Sequence, residues 1–350
     1  GGLVVPVFGS RVEPDYLILM DRVSMSDHQA RLAEEVAVTL KNSDLSLDCF
    51  YFEQTPEYCR AAPRRAGDPL GAVVTLEDLR LRFPAHRVLL FSDGGGFFDA
   101  VTGEPSAWLS VLASWPEKAV LTPEPPQRWS RREWAIEKLG IVLLPLSRPG
   151  LVMLAETFRE HPLTPLATGL ASTRRVPEFL RSPERWLERQ PPRDEWVAEL
   201  CADLRSHLGP SGFLWLAACA AYPEVHWGLT LRLGYSLLGN NADVEALLPR
   251  LTRLPWLRRA FLPDWLRRAL LERVEPAQAE TIRRLVTEML APAGDDSLAV
   301  IPLIVALDDP PRGGAAPGVW RRWGRRLRAW RDPKSRKNLL EHRPRRGPMS

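Results

Sequence analysis

Two stretches decide the fold: Tyr16-Leu17-Ile18-Leu19-Met20-Asp21 and Val88-Leu89-Leu90-Phe91-Ser92-Asp93. Each is a short continuous apolar run ended by a carboxylate, the pattern of a strand buried on both faces of a parallel sheet. Between them, Asp27 or Ser26 can cap a helix over 28–41, whose Leu32, Val36 and Leu40 recur at helical spacing with Ala33 and Ala37 beside them. A strand over 48–52 follows the Asn42-Ser43-Asp44 turn signal, residues 53–74 read as a loop, and Thr75 caps a short helix over 76–82. After Asp93 the chain alternates again: helix 106–114, strand 118–121, helix 130–139, strand 141–144, helix 149–158. Strands alternating with helices at these lengths predict right-handed crossovers and an α/β three-layer domain over 15–158.

Beyond that domain the character changes. Residues 159–195 are rich in Pro and charge and read as a linker carrying one or two short helices. Residues 196–307 read as an all-α domain. Within it Leu254-Pro255-Trp256-Leu257-Arg258-Arg259 is echoed by Leu262-Pro263-Asp264-Trp265-Leu266-Arg267-Arg268, two copies at a spacing too short for a solenoid. Proline suits a first helical turn, so the echo predicts two consecutive helix starts. Residues 308–318 have linker composition, and 319–350 form a basic tail.

Hydrophobic content of 45% with 26% charged residues fits a folded globular chain. Residues 311–350 hold 13 Lys and Arg against 2 Asp and Glu, a net of +11, so residues 1–310 are net −7 within the overall +4. The basic character belongs to the tail, and the body has no charge-based claim on nucleic acid. No apolar run approaches the ~20 residues of a membrane-spanning helix. Residues 1–9 lack the charged region of a secretory signal. The Gly-Gly start without an initiator Met reads as an excised fragment. Cys49, Cys59, Cys201 and Cys219 show neither zinc-site spacing nor disulfide density and read as reduced thiols of a cytoplasmic protein.

Adjacent parallel strands ending in Asp21 and Asp93 place two carboxylates at the carboxyl edge of the sheet, where open α/β sheets bind ligands. With Ser24, Ser26 and Ser92 nearby, they make an all-oxygen set suited to Mg²⁺, while Gly94-Gly95-Gly96 lets the backbone approach closely. The plainer alternative is that both carboxylates cap helices and hold no metal.

These residues resemble a von Willebrand factor A-type domain. In that family an Asp-x-Ser-x-Ser loop after the first strand and a Thr-Asp-Gly loop after the fourth form the metal-ion-dependent adhesion site. Leu17 to Ser26 and Leu89 to Gly94 are similar to the two loops, Asp21 and Asp93 taking the Asp positions. The hydroxyls of Ser24 and Ser26 fall one place late, where the motif positions hold Val23 and Met25; Ser92 replaces the motif Thr, and Thr75 is the weak counterpart of its remaining Thr. The resemblance therefore implies a degenerate site, with Asp21, Ser24, Ser26 and Asp93 as metal candidates and Ser92, Gly94, Gly95 and Phe97 as partner-facing residues. Phe97 and Phe98 read as core or lid ahead of a binding platform. The helical part resembles extensions of large bacterial signalling and conflict proteins, which are joined to caspase-like, formylglycine-generating-enzyme-like or NTPase domains.

Catalysis finds little footing. Six histidines show no hydrolase spacing, and Cys49 begins a strand interior where a caspase-like nucleophile paired with His86 would have to end one. The glycines lack the Lys-Ser/Thr of a phosphate loop. In the tail, Trp320, Trp323, Leu327 and Trp330 share one helical face with Arg326 among them, fitted to an anionic membrane, a partner's groove or this chain's own acidic body, with nucleic acid as a further option. The expected function is a non-catalytic interaction and regulatory module of a bacterial signalling or defence-type system without cofactor, its partners being proteins of that system such as a caspase-like protease. The alternative is a Mg²⁺-dependent hydrolase using Asp21 and Asp93.

Overall fold

Leu17 and Leu19 point to one side of their strand and Ile18 and Met20 to the other, and two separate apolar layers grow from that alternation. The computed structural model describes residues 15–41, 45–63, 69–99, 102–129, 131–157, 176–239 and 241–290. The first strand, β1 (Tyr16–Asp21), is buried along its whole length. It lies between β2 (Leu47–Glu53) and β5 (Arg87–Phe91), parallel to both. Continuing outward, β6 (Lys118–Thr122) and β7 (Val142–Pro145) add parallel strands. On the other flank β3 (Thr55–Ala61) and β4 (Val73–Thr75) add antiparallel ones. The mixed sheet therefore runs β4-β3-β2-β1-β5-β6-β7.

α1 (His28–Lys41) and α5 (Arg148–Thr157) cover one face. α2 (Leu76–Arg82), α3 (Trp108–Ala113) and α4 (Arg131–Lys138) cover the other. Thr75 caps α2 in a full capping box with Asp78, so it serves that helix and not a metal.

Two expectations need correction. The stretch 53–74 holds two strands. Gln54 turns the chain at φ 62° without the glycine that usually announces such a turn, and a register shift between Tyr51 and Glu53 breaks the alternation of β3. The end of the supposed linker belongs to the helical core: α6 (Glu178–Arg181) and the 3-10 turn Glu184–Leu187 bury Phe179 and Trp186 there.

Five more helices and a short one complete this half: α7 (Asp194–Ala220), α8 (Trp227–Leu238), α9 (Asn241–Thr252), α10 (Pro255–Arg258), α11 (Asp264–Leu271) and α12 (Pro276–Leu290). α7 breaks at Gly209, which takes φ 76° just before Pro210 starts a new segment. The echoed motifs do open consecutive helices, α10 and α11. α8 lies so close to α7 that a Cβ on Gly234 would sit 2.2 Å from the fully buried Trp215 ring. Gly234→Ala should therefore lose about 1–3 kcal/mol in a urea melt, and an unchanged midpoint would refute this packing.

All described residues fall within one compact unit. The apolar stretch 297–307, the linker 308–318 and the tail with Trp320, Trp323, Arg326 and Trp330 lie outside the described residues. Among the described residues no helix is long and apolar enough to cross a membrane.

Candidate functional site: a charged seam at the sheet edge

Because β1 and β5 are neighbours, Asp21 and Asp93 do emerge side by side at the carboxyl edge. Asp21 is 3% exposed. Its Oδ1 accepts from the Gln54 backbone N–H (3.1 Å), and its Oδ2 lies 3.1 Å from Arg258 Nη2. Arg258 comes from α10, in the helical half. The same guanidinium donates through Nε and Nη2 to Asp27 Oδ2 at 3.2 and 3.1 Å. Asp27 also caps α1, its Oδ1 accepting from Gln29 N–H (2.8 Å) and its Oδ2 from Val23 N–H (2.9 Å). A third carboxylate thus converges on the crevice around a guanidinium, while Glu53 and Asp99 are exposed.

The neighbouring pairs repeat the theme. Asp93 accepts from Gly95 N–H (2.9 Å) and lies 3.6 Å from Arg253 Nε. Arg253 also pairs with Glu124, which follows β6. Arg128 sits 3.9 Å from Glu124 and donates to His207 Nδ1 at 2.7 Å, so Nδ1 must be the unprotonated ring nitrogen. Buried His28 hydrogen-bonds Thr230 on α8 at 3.0 Å. Each of these last four contacts except the Arg128–Glu124 pair joins the α/β half to the helical half.

Of the two proposed metal hydroxyls, that of Ser24 is otherwise employed. Ser24 Oγ donates to the Arg258 carbonyl at 2.7 Å, tying α10 to the loop after β1. Ser26 is exposed, and its carbonyl faces His28 Nδ1 at 3.1 Å. Met25 projects into solvent at 67% exposure. Ser92 is buried and accepts from Gly94 N–H. Gly96 crosses the β2–β3 turn so closely that a Cβ would lie 2.5 Å from the Gln54 carbonyl oxygen. Phe97 is fully buried edge-on against Trp108, 4.9 Å between centroids, so it packs the core and does not face a partner. Sequence reasoning missed Arg253, Arg258, Glu124, Arg128 and His207; the usable signal was a charged residue directly after the apolar Trp256-Leu257 pair.

Burial pushes the Asp21 carboxyl up to about 6; Arg258 opposes this and the Asp93 charge adds to it. Asp93 goes the other way: burial would raise it, but Arg253 and Arg258 together hold it below the ordinary carboxylate range. Burial also raises Glu124 and lowers His28. Arg258 is held above its usual value because three carboxylates outweigh its own desolvation. All four cysteines are free thiols, and burial drives Cys49 up to about 11, which leaves it a poor nucleophile.

No known protein family, curated protein or solved structure matches this chain.

Two measurements follow from this geometry. Among the described residues no group of three His, Cys, Asp or Glu side chains is arranged to hold a metal. With a guanidinium between Asp21 and Asp27, Mg²⁺ or Mn²⁺ should leave the melting temperature unchanged; a rise abolished by Asp21→Ala would contradict that. The second concerns pH. From about pH 4 to 6 the unfolded chain has released the Asp21 proton while the folded chain still holds it, so this group's contribution to stability falls as pH rises. Asp21→Asn removes that dependence. Urea midpoints should show the variant gaining on the wild type by up to about 3 kcal/mol between pH 4 and 6 and no further above. A difference constant with pH would show that Asp21 titrates normally.

Proposed function

We propose that this chain is a non-catalytic protein-interaction and regulatory module, built on a von Willebrand factor A-type domain whose metal site has given way to an internal arginine. The observation that carries this reading is Arg258, lodged between Asp21 and Asp27 at the point where a ligand cation would sit. A guanidinium neutralises the carboxylates but supplies no Lewis acid and no activated water. The strand order, with β1 between β2 and β5 and an antiparallel β3 beyond β2, supports the domain type, as does the pairing of Asp21 and Asp93 at neighbouring strand ends. The helical half then serves as a built-in regulator of the crevice. Its partners are proteins of a bacterial signalling or defence-type system.

The test has two arms. The purified chain is assayed with Mg²⁺ and Mn²⁺ on phosphoester and peptide substrates, and a tagged chain is cross-linked in its own cells. Expected are no metal-dependent turnover and a recurrent protein partner. Turnover that Asp21→Asn abolishes would overturn the reading in favour of a hydrolase.

A further inference from the structure

The crevice is built for a planar fork. Asp21 at the end of β1 and Asp27 at the cap of α1 hold one guanidinium through its Nε and Nη2, and the charge of Asp93 after β5 adds to the field that favours it. Nε and Nη2 converge together on Asp27 Oδ2 while Nη2 also reaches Asp21, and an ammonium, with one nitrogen, cannot reproduce the paired contact to Asp27.

The part that delivers Arg258 is joined to the sheet in an unusual manner. The helical half has its own core, from Phe179 to Val286, and the sheet has its own two layers. These cores meet through Leu32 of α1; the other contacts named at the seam are polar or charged, apart from the edge of Trp227 against His28. Interfaces of this composition, between parts that each keep a core, permit relative motion.

The closed seam is also imperfectly satisfied. Asp21 is 3% exposed, and its compensation is one N–H from Gln54 and an Arg258 that it shares with Asp27, so burial still pushes its carboxyl up. Closure therefore retains a cost that opening would relieve.

We propose that the crevice is an arginine-receiving site which the chain closes on itself, the helical half acting as a releasable cap whose Arg258 holds the place of an arginine from a partner protein. This rests on reading the crevice as an interaction surface, and it names the recognised chemistry and the regulation. An incoming arginine would displace Arg258 from Asp21 and Asp27, freeing α10 to move away with the helical core intact.

The experiment uses the full chain with Arg258→Ala, followed by hydrogen exchange at the amides of Val23, Gln29, Ala30 and Gln54, which donate to Asp27 and Asp21. These should exchange at least tenfold faster than in the wild type, while amides within β1, β5 and α7 keep their protection. Millimolar ethylguanidinium should restore slow exchange; ethylammonium should not. Absence of rescue in the folded variant would overturn the arginine assignment. Equal acceleration in β1 and α7 would overturn the cap. Should Arg258→Ala fail to fold, Arg258→Lys keeps the charge without the fork: the four amides should still accelerate alone, and unchanged exchange there would overturn the proposal. Metal-dependent turnover by the wild type would sink the interaction reading separately, whatever the exchange data.

Discussion

Arg258→Met should cost the closed fold about 3–5 kcal/mol, read as the loss in free energy of the first transition in urea unfolding. Met keeps most of the side chain's apolar stem, so the change isolates the guanidinium. Without it Asp21 and Asp27, both almost fully buried, face each other with no cation between them. The cost should come from those stranded charges more than from the lost attraction. Adding Asp21→Asn and Asp27→Asn to the same chain should therefore recover most of the loss, because a neutral crevice needs no counter-charge. A single variant within about 1 kcal/mol of wild type would place Arg258 in solvent, outside the crevice.

The contrast between what the sequence disclosed and what it hid follows from the range of the interactions. Strand β1 and helix α1 were legible because their signals are local: an unbroken apolar run ended by Asp21, and an Asp27 cap before a helical stripe. The neighbouring placement of Asp21 and Asp93 followed from the order of such elements. β3 was hidden because its turn is made by Gln54 at positive φ and its burial skips from Pro56 to Cys59, so neither a glycine nor a period of two marks it. Arg258 and Arg253 were hidden for a different reason. They lie 237 and 160 positions along the chain from Asp21 and Asp93 respectively, and nothing in a single sequence pairs an arginine with one distant carboxylate over another. The Trp-Leu-Arg-Arg echo pointed at helix starts, which was right, and gave no hint that one of its arginines would be buried.

Trp256→Ala should be about as damaging as the loss of Arg258, at about 3–5 kcal/mol, and the two losses should not be independent. Trp256 is fully buried, tilted against Phe179, and its Nε1 donates to the Trp186 carbonyl at 2.8 Å. Removing the ring leaves a cavity in the helical core and an unpaired carbonyl at Trp186. It also removes the anchor of α10, which has only four residues and holds Arg258 two positions along. If the anchor is what aims the guanidinium at Asp21 and Asp27, a chain lacking Trp256 has already lost part of what Arg258 contributes. A double-mutant cycle of Trp256→Ala with Arg258→Met should then give a coupling of about 0.5–3 kcal/mol, the double variant losing less than the sum of the two. Losses that add within about 0.5 kcal/mol would mean that Ser24 and the rest of the crevice hold Arg258 in place without the help of the helical core.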